Sequence, residues 1–231
     1  MFVLAIDKLK FRRQDLMKKH FKHIIIAIIS FWYYIYKPSI AKKRKRLLNL
    51  IYTNWLAREF KFLGQNSYIE HPTYLKGERY MSIGEGFNAL ERLRLECWDL
   101  YQGERFSPEL TIGNNVIMNY NVHIGCINKI SIGNNVLFAS NIYITDHHHG
   151  YADERHIHIP PAMRPLISKG PVIIEDNVWI GENVSIMPNV TIGEGCIIGA
   201  NSVVTKSFLP YSIIAGVPAK VIRMIKLGEN E

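Results

Sequence analysis

Only three cysteines, Cys97, Cys126 and Cys196, occur in 231 residues, far apart and in no CxxC pair. This spacing excludes a disulfide framework and a cysteine-ligated zinc site, and it suits a reducing compartment. The chain has no GxSxG elbow, no GxxxxGK phosphate loop and no HExxH helix, which sets aside the serine-hydrolase, P-loop and zincin classes. Its one strongly apolar stretch, residues 23–36 (HIIIAIISFWYYIY), is short for a helix crossing a bilayer. No small-residue cleavage motif follows, so a secretory signal is disfavoured. Carboxylates are scarce at the start: residues 1–61 hold 15 Lys and Arg against 3 Asp and Glu, and residues 62–231 hold 13 against 17. The net charge of +8 therefore belongs to the N-terminal arm.

Two readings of that arm stand side by side. With Trp32, Tyr33, Tyr34 and Tyr36 at one end and the run AKKRKR (41–46) beyond, residues 1–46 suit a helix lying in a membrane interface on anionic lipid. They equally suit a helical arm packed on the rest of the chain or on a neighbouring subunit, its charges solvated. No nucleic-acid-binding module is recognisable, and no nucleic-acid partner is expected.

What the chain does have is a period of six. Ile174, Ile180, Ile186, Ile192, Ile198 and Val204 follow one another at that spacing, and Gly181, Gly193 and Gly199 each come directly after one of them. A second small or branched position lies four residues after each (Val178, Val184, Val190, Cys196, Ser202). Six fits neither 3.6 nor 2, and the glycines would break a helix. It is the period of a parallel β-helix, with one inward residue per short strand and three strands per coil. Cys196 falls on an inward position and reads as a small buried filler.

The rhythm divides the chain. Residues 1–60 form the basic and apolar helical arm, 61–206 the β-helix, and 207–231 a C-terminal cap. Residues 61–75 read as a bridge, with the first glycine-marked turn at Ile83 and Gly84. Residues 91–107 break the period, as an irregular coil or insertion. Ile112, Met118 and Ile124 restore it, two extra residues shift it, and Ile132, Phe138 and Ile144 carry it on. From 145 to 171 it stops altogether, so this stretch leaves the prism as a loop, and a long excursion from so regular a scaffold points to function.

Five of nine histidines lie there: His147, His148, His149, His156 and His158. A neutral imidazole can take a proton from an attacking hydroxyl, with Asp146 or Glu154 as a carboxylate to orient it. A zinc site is the rival chemistry, but consecutive histidines in an extended chain point to opposite faces. No metal is expected.

The segments NYNVHIG (119–125), IGNNVLFASN (132–141), IEDNVWIGENV (174–184), IGANSVVTK (198–206) and AGVPAKVIR (215–223) resemble the hexapeptide-repeat acyltransferases, and within them the maltose and galactoside O-acetyltransferase group. The resemblance implies an all-β left-handed parallel β-helix, assembled as a homotrimer, with acetyl-CoA as donor in the groove between neighbouring prisms. It implies acetyl transfer to a sugar hydroxyl, directly and without an acyl-enzyme, in surface polysaccharide biosynthesis. It places His149 on the catalytic position with His147 as the alternative, Asn119 on the substrate, and Ala200, Thr205, Lys206, Lys220 and Arg223 on the coenzyme. Lys220 replaces an arginine, Glu182 a serine, and Ile127 an acidic residue that contacts sugar. The acceptor implied is a sugar or lipid-linked oligosaccharide, and the location cytoplasmic, peripheral on the inner face of the membrane. A non-catalytic or zinc-binding β-helix module is the alternative, and Trp179 is a candidate for lining the groove.

Overall fold

The six-residue spacing becomes geometry in the computed structural model, which describes residues 2–151 and 153–226. Met1, Ala152 and residues 227–231, parts of the expected arm, loop and cap, lie outside the described residues, as do the side chains of residues 2–15. The prism strands run two to five residues and turn alternate side chains inward, Ile180 from Trp179–Ile180 and both Val172 and Ile174 from Val172–Ile174, because a longer strand would carry the chain past the corner of a narrow prism. Ile174, Ile180, Ile186, Ile192, Ile198 and Val204 are all no more than 1% exposed. Burying each such side chain stabilises the fold by roughly 1.5–3 kcal/mol. Val178, Val184, Val190, Cys196 and Ser202 line the same core at the corners.

Three parallel sheets form the walls of a left-handed parallel β-helix. The first stacks Phe62–Leu63, Met81–Ile83, Glu109–Ile112, Lys129–Ile132, Val172–Ile174 and Val190–Ile192. The second begins with Tyr68–Ile69 and Asn88–Ala89, the third with Tyr74–Lys76 and Arg94–Cys97. Corner residues adopt the left-handed conformation, which asparagine tolerates better than most residues. Asn135 (φ 56°) and Asn177 (φ 59°) are two of these, and Asn115, Asn135 and Asn177 join their side-chain amides into a ladder at 3.3 and 3.2 Å.

One corner differs from the other two. Between the first and second sheets, and between the second and third, successive inward residues are six apart, as in Ile132, Phe138 and Ile144. Every lengthening of the coil falls between the third sheet and the first. The two extra residues after Ile124 lie at this corner, between Val122–Cys126 and Lys129–Ile132, so the register steps 20 residues there (Ile112↔Ile132) against 18 later (Ile174↔Ile192). Residues 98–108 and 146–171 leave the prism at the same corner, one coil below and one above.

The supposed bridge at residues 61–75 is in fact the first coil, with Phe62↔Ser82 and Tyr68↔Asn88 already in register. The two helices, Phe2–Ile35 and Pro38–Leu56, precede it. By contacts the chain divides into a unit of residues 1–48 and a unit of residues 49–231. Within the second, the end of the second helix covers the open first coil. Thr53 Oγ1 accepts from the Ile69 N–H at 2.9 Å and Asn49 Nδ2 donates to the Tyr68 hydroxyl at 3.0 Å. Within the first, the side chains of Ile24, Ile28, Trp32 and Tyr34 are exposed. Among the described residues no single helix is long and apolar enough to cross a membrane, although Leu16–Ile35 and Pro38–Leu56, bent by 49°, pass that test together. At the far end Ser212–Gly216 extends the second sheet and folds back antiparallel on Ala219–Met224, which closes the coil with a hairpin.

Candidate active site

Stacked insertions make the site. Because residues 98–108 and 146–171 emerge at one corner, with only the coil of Val122–Cys126 between them, they meet above the third sheet. The lower one is a hairpin, Leu100–Tyr101 against Glu104–Arg105, and the upper begins with the strand His147–His149 paired antiparallel to Leu166–Ser168. The Tyr101 hydroxyl (2.7 Å) and Gln102 Nε2 (3.0 Å) both donate to the Ala162 carbonyl, tying the two together.

Asp146, the first residue of the upper insertion, is fully buried. Its carboxylate accepts the backbone N–H groups of Ile127 (3.0 Å) and Asn128 (2.8 Å), the two-residue corner of the coil below. It also accepts from His147 Nδ1 at 2.9 Å. A carboxylate can only accept, so Nδ1 carries the hydrogen and the lone pair of a neutral ring lies on Nε2. The His147 side chain is 13% exposed, and its ring lies over Gly125, where a Cβ would stand 3.3 Å from His147 Cε1. Of the two carboxylates expected to orient an imidazole, Asp146 does so here. Near His156 the partner is Asp153 rather than Glu154: the hydrogen bond from His156 (2.7 Å) and the Arg155 guanidinium pull the Asp153 carboxyl down to about 2.

His149 lies on the same side of its strand as His147 and is more exposed. It meets Tyr101 edge to face, ring centroids 5.5 Å apart, with its Nδ1 3.5 Å from the hydroxyl. Burial, with the charges of His147 and Arg164, lowers its pKa. Burial and the Lys169 charge do the same for His148.

His147 stands between two cavities. A groove of about 760 Å³ runs past it, lined by Thr145, Lys169, Met187, Asn189 and Thr205 among others. A smaller pocket of about 170 Å³ lies on its other side, lined by Glu96, Trp98, His123 and Leu166. Tyr143, His147 and His149 border both.

The structure thus unites His147, His149 and Thr205. Asn119, Ala200, Lys206, Lys220 and Arg223 line neither cavity. Asn119 follows the strand Ile117–Met118 and donates its N–H to Phe138 O (3.1 Å); Ala200 and Lys206 are exposed; Lys220 and Arg223 lie on the closing hairpin opposite Ala215 and Ile213. Trp179, 51% exposed, lines neither cavity. Among the described residues no three His, Cys, Asp or Glu side chains converge as a metal-binding group. All three cysteines are buried, and a hydrogen bond with Cys97, burial and the Asp146 charge push the Cys126 thiol far up. No thiolate nucleophile is on offer.

Sequence reasoning missed Glu96, His123 and Gly125. Their signal lies in the register: Arg94, His123 and Tyr143 occupy one outward column of the third sheet, and Glu96, Gly125 and Thr145 the next. Only the pairing of coils makes a column of them.

Comparison with known proteins gives a consistent family. Residues 171–206 match the family described as bacterial transferase hexapeptide (six repeats). The chain is 40% identical over 159 residues to WbbJ of Escherichia coli, named as a lipopolysaccharide biosynthesis O-acetyl transferase, covering 67% of this chain and 77% of that one. It is 29% identical over 193 residues to the galactoside O-acetyltransferase of Escherichia coli, covering 81% and 71%. An N-acyltransferase from Bacillus cereus, solved with coenzyme A and dTDP-4-amino-4,6-dideoxyglucose, shares the fold with a TM-score of 0.58 at 23% identity, covering 76% of this chain and 90% of that one.

Proposed function

The chain belongs to the bacterial hexapeptide-repeat transferases, and from that premise we propose that it is an acetyl-CoA-dependent O-acetyltransferase acting on a sugar hydroxyl in surface polysaccharide biosynthesis. The observation that carries the reading is His147, held by a buried carboxylate on Nδ1 and set between a long groove and a small pocket. The acetyl-CoA donor occupies the groove, where Lys169 and Arg164 supply positive charge for its phosphates. His147 Nε2 takes the acceptor's proton as the hydroxyl oxygen attacks the thioester carbonyl, and the coenzyme thiolate leaves. Asp146 fixes the tautomer and stabilises the imidazolium that forms. Acetyl passes directly to the acceptor, since the buried cysteines offer no nucleophile. The geometry favours His147 over His149 as base, because among the described residues no carboxylate partners the His149 ring, whereas Asp146 holds that of His147.

The working form is a homotrimer. Asn119, Ala200, Lys206, Lys220 and Arg223 stand where the family contacts its substrates, and a neighbouring copy brings them to the groove. An exposed apolar column on the second sheet, Ile117↔Leu137↔Trp179, supports such a seam. Residues 1–46 hold the enzyme peripherally on the inner face of the membrane, with exposed Ile24, Ile28 and Trp32 in the interface and Lys42, Lys43, Arg44 and Arg46 on anionic headgroups.

Release of the coenzyme thiol from acetyl-CoA, followed with a panel of nucleotide sugars and lipid-linked oligosaccharides, tests the activity. No acceptor-dependent release with any of them would overturn it. Light scattering after gel filtration reads the trimer, and co-sedimentation with phosphatidylglycerol vesicles, with and without residues 1–46, reads the membrane contact.

A further inference from the structure

Behind His147 the small pocket holds a charged group that the transferase reading leaves unused. Glu96 is 3% exposed. Its Oε2 accepts from His123 Nε2 at 2.9 Å and from Arg94 Nε at 2.8 Å. Its Oε1 is buried and has no hydrogen-bond partner among the described residues. A carboxylate oxygen stripped of water and given no donor is costly, and native proteins keep one where a ligand or a function accounts for it. Glu96 lines the pocket of about 170 Å³, a volume comparable to about six waters. That is room for one sugar ring. Trp98 and Tyr143 supply flat apolar walls, and Glu96, His123 and Arg94 supply the few polar groups that fix orientation in such pockets. His123 donates through Nε2, so its neutral ring keeps Nδ1 as an acceptor, and burial lowers its pKa towards that neutral form.

We propose that this pocket is the acceptor subsite, and that Glu96, braced by Arg94 and His123, selects a neutral sugar ring by accepting a hydrogen bond from a hydroxyl neighbouring the one that is acetylated. The inference rests on the transferase reading for its placement of the acceptor, with His147 on the border between the sugar and the donor groove. A uronic acid is discriminated against, because a second carboxylate beside Glu96 would be repelled where little water screens it. Glu96 is a specificity residue, and the proton transfer stays with His147.

The test is binding, read separately for the two sides. Saturation-transfer NMR on the full chain uses methyl hexopyranosides of galactose, glucose and rhamnose and the corresponding uronic acids as probes, and calorimetry reads acetyl-CoA. Expected is binding of at least one neutral glycoside, weakened about tenfold or more in Glu96→Gln, with the uronic acids bound more weakly and acetyl-CoA affinity within about twofold of the parent. His123→Gln, altered from the more exposed side of the pair, is expected to weaken the same glycoside while leaving the thermal unfolding temperature close to the parent's, so that a misfolded Glu96→Gln does not decide the matter. No glycoside binding by the parent chain, or binding unchanged in both variants, overturns the proposal. Glycoside binding that depends on Glu96 in a protein that does not bind acetyl-CoA overturns the transferase reading and leaves the sugar site standing.

Discussion

His147 Nδ1 lies 2.9 Å from Asp146 Oδ1, and that same carboxylate grips the backbone of Ile127 and Asn128 on the coil below. One buried side chain therefore sets both the path of the prism and the orientation of the ring. The lengthened corner would otherwise leave two N–H groups unpaired, and the imidazole would be free to turn.

If His147 is the base, His147→Ala lowers kcat by about 10²- to 10⁴-fold with little change in the KM for acetyl-CoA. His149→Ala, which removes an edge contact to Tyr101, lowers it by about tenfold at most. Steady-state kinetics on the two variants decide between them, and the reverse order would return the role to His149.

Asp146 affects stability as well as rate. Asp146→Ala leaves the buried Ile127 N–H and the part-buried Asn128 N–H without their acceptor, which costs about 2 kcal/mol. It also frees the His147 tautomer. Urea unfolding and kcat are expected to fall together in this variant, whereas His147→Ala reduces kcat and barely moves the unfolding midpoint.

Gly125 is glycine for the sake of a ring. A Cβ there would meet His147 Cε1 at 3.3 Å, closer than comfortable contact, and its approaches to Thr145 Oγ1 (3.9 Å) and His123 Nε2 (4.0 Å) are ordinary. Gly125→Ala is expected to fold, shift the His147 ring and cut kcat by about tenfold. Full activity would show that the ring does not need its present seat.

The pH dependence of stability follows from histidines whose pKa burial lowers. His123, His148 and His149 all shift this way, so the unfolded chain binds more protons than the folded one as the pH falls through the ordinary histidine range. Their stabilising contribution is complete above that range and declines on acidification. The unfolding temperature should therefore drop between about pH 7 and about pH 5, with a shallower drop in His148→Gln.

A corner prediction separates conformation from hydrogen bonding. Asn135→Ala loses the ladder amide and holds at φ 56° a residue that tolerates the left-handed conformation less well than asparagine, at a cost of about 2 kcal/mol, whereas Asn135→Gly loses the ladder alone and costs less than about 1 kcal/mol. Urea denaturation of both variants reads the difference.

The coil is legible in the residues alone. A period of six with small residues at the turns is a local rule repeated, and each repeat can bury its aliphatic only by stacking on the next, so Ile174 through Val204 announce the prism without knowledge of any partner. It also marked the three places where the rhythm fails, at 91–107, between Ile124 and Ile132, and at 145–171. Where those interruptions meet was decided by tertiary structure alone. Coil stacking puts all three at one corner, bringing Tyr101 to His149, the Ile127 backbone to Asp146, and Glu96 beside His123 on adjacent columns of the third sheet. The charge partner of an imidazole and the unmet oxygen of a buried carboxylate depend on neighbours tens of residues away, and a one-dimensional period carries no record of them.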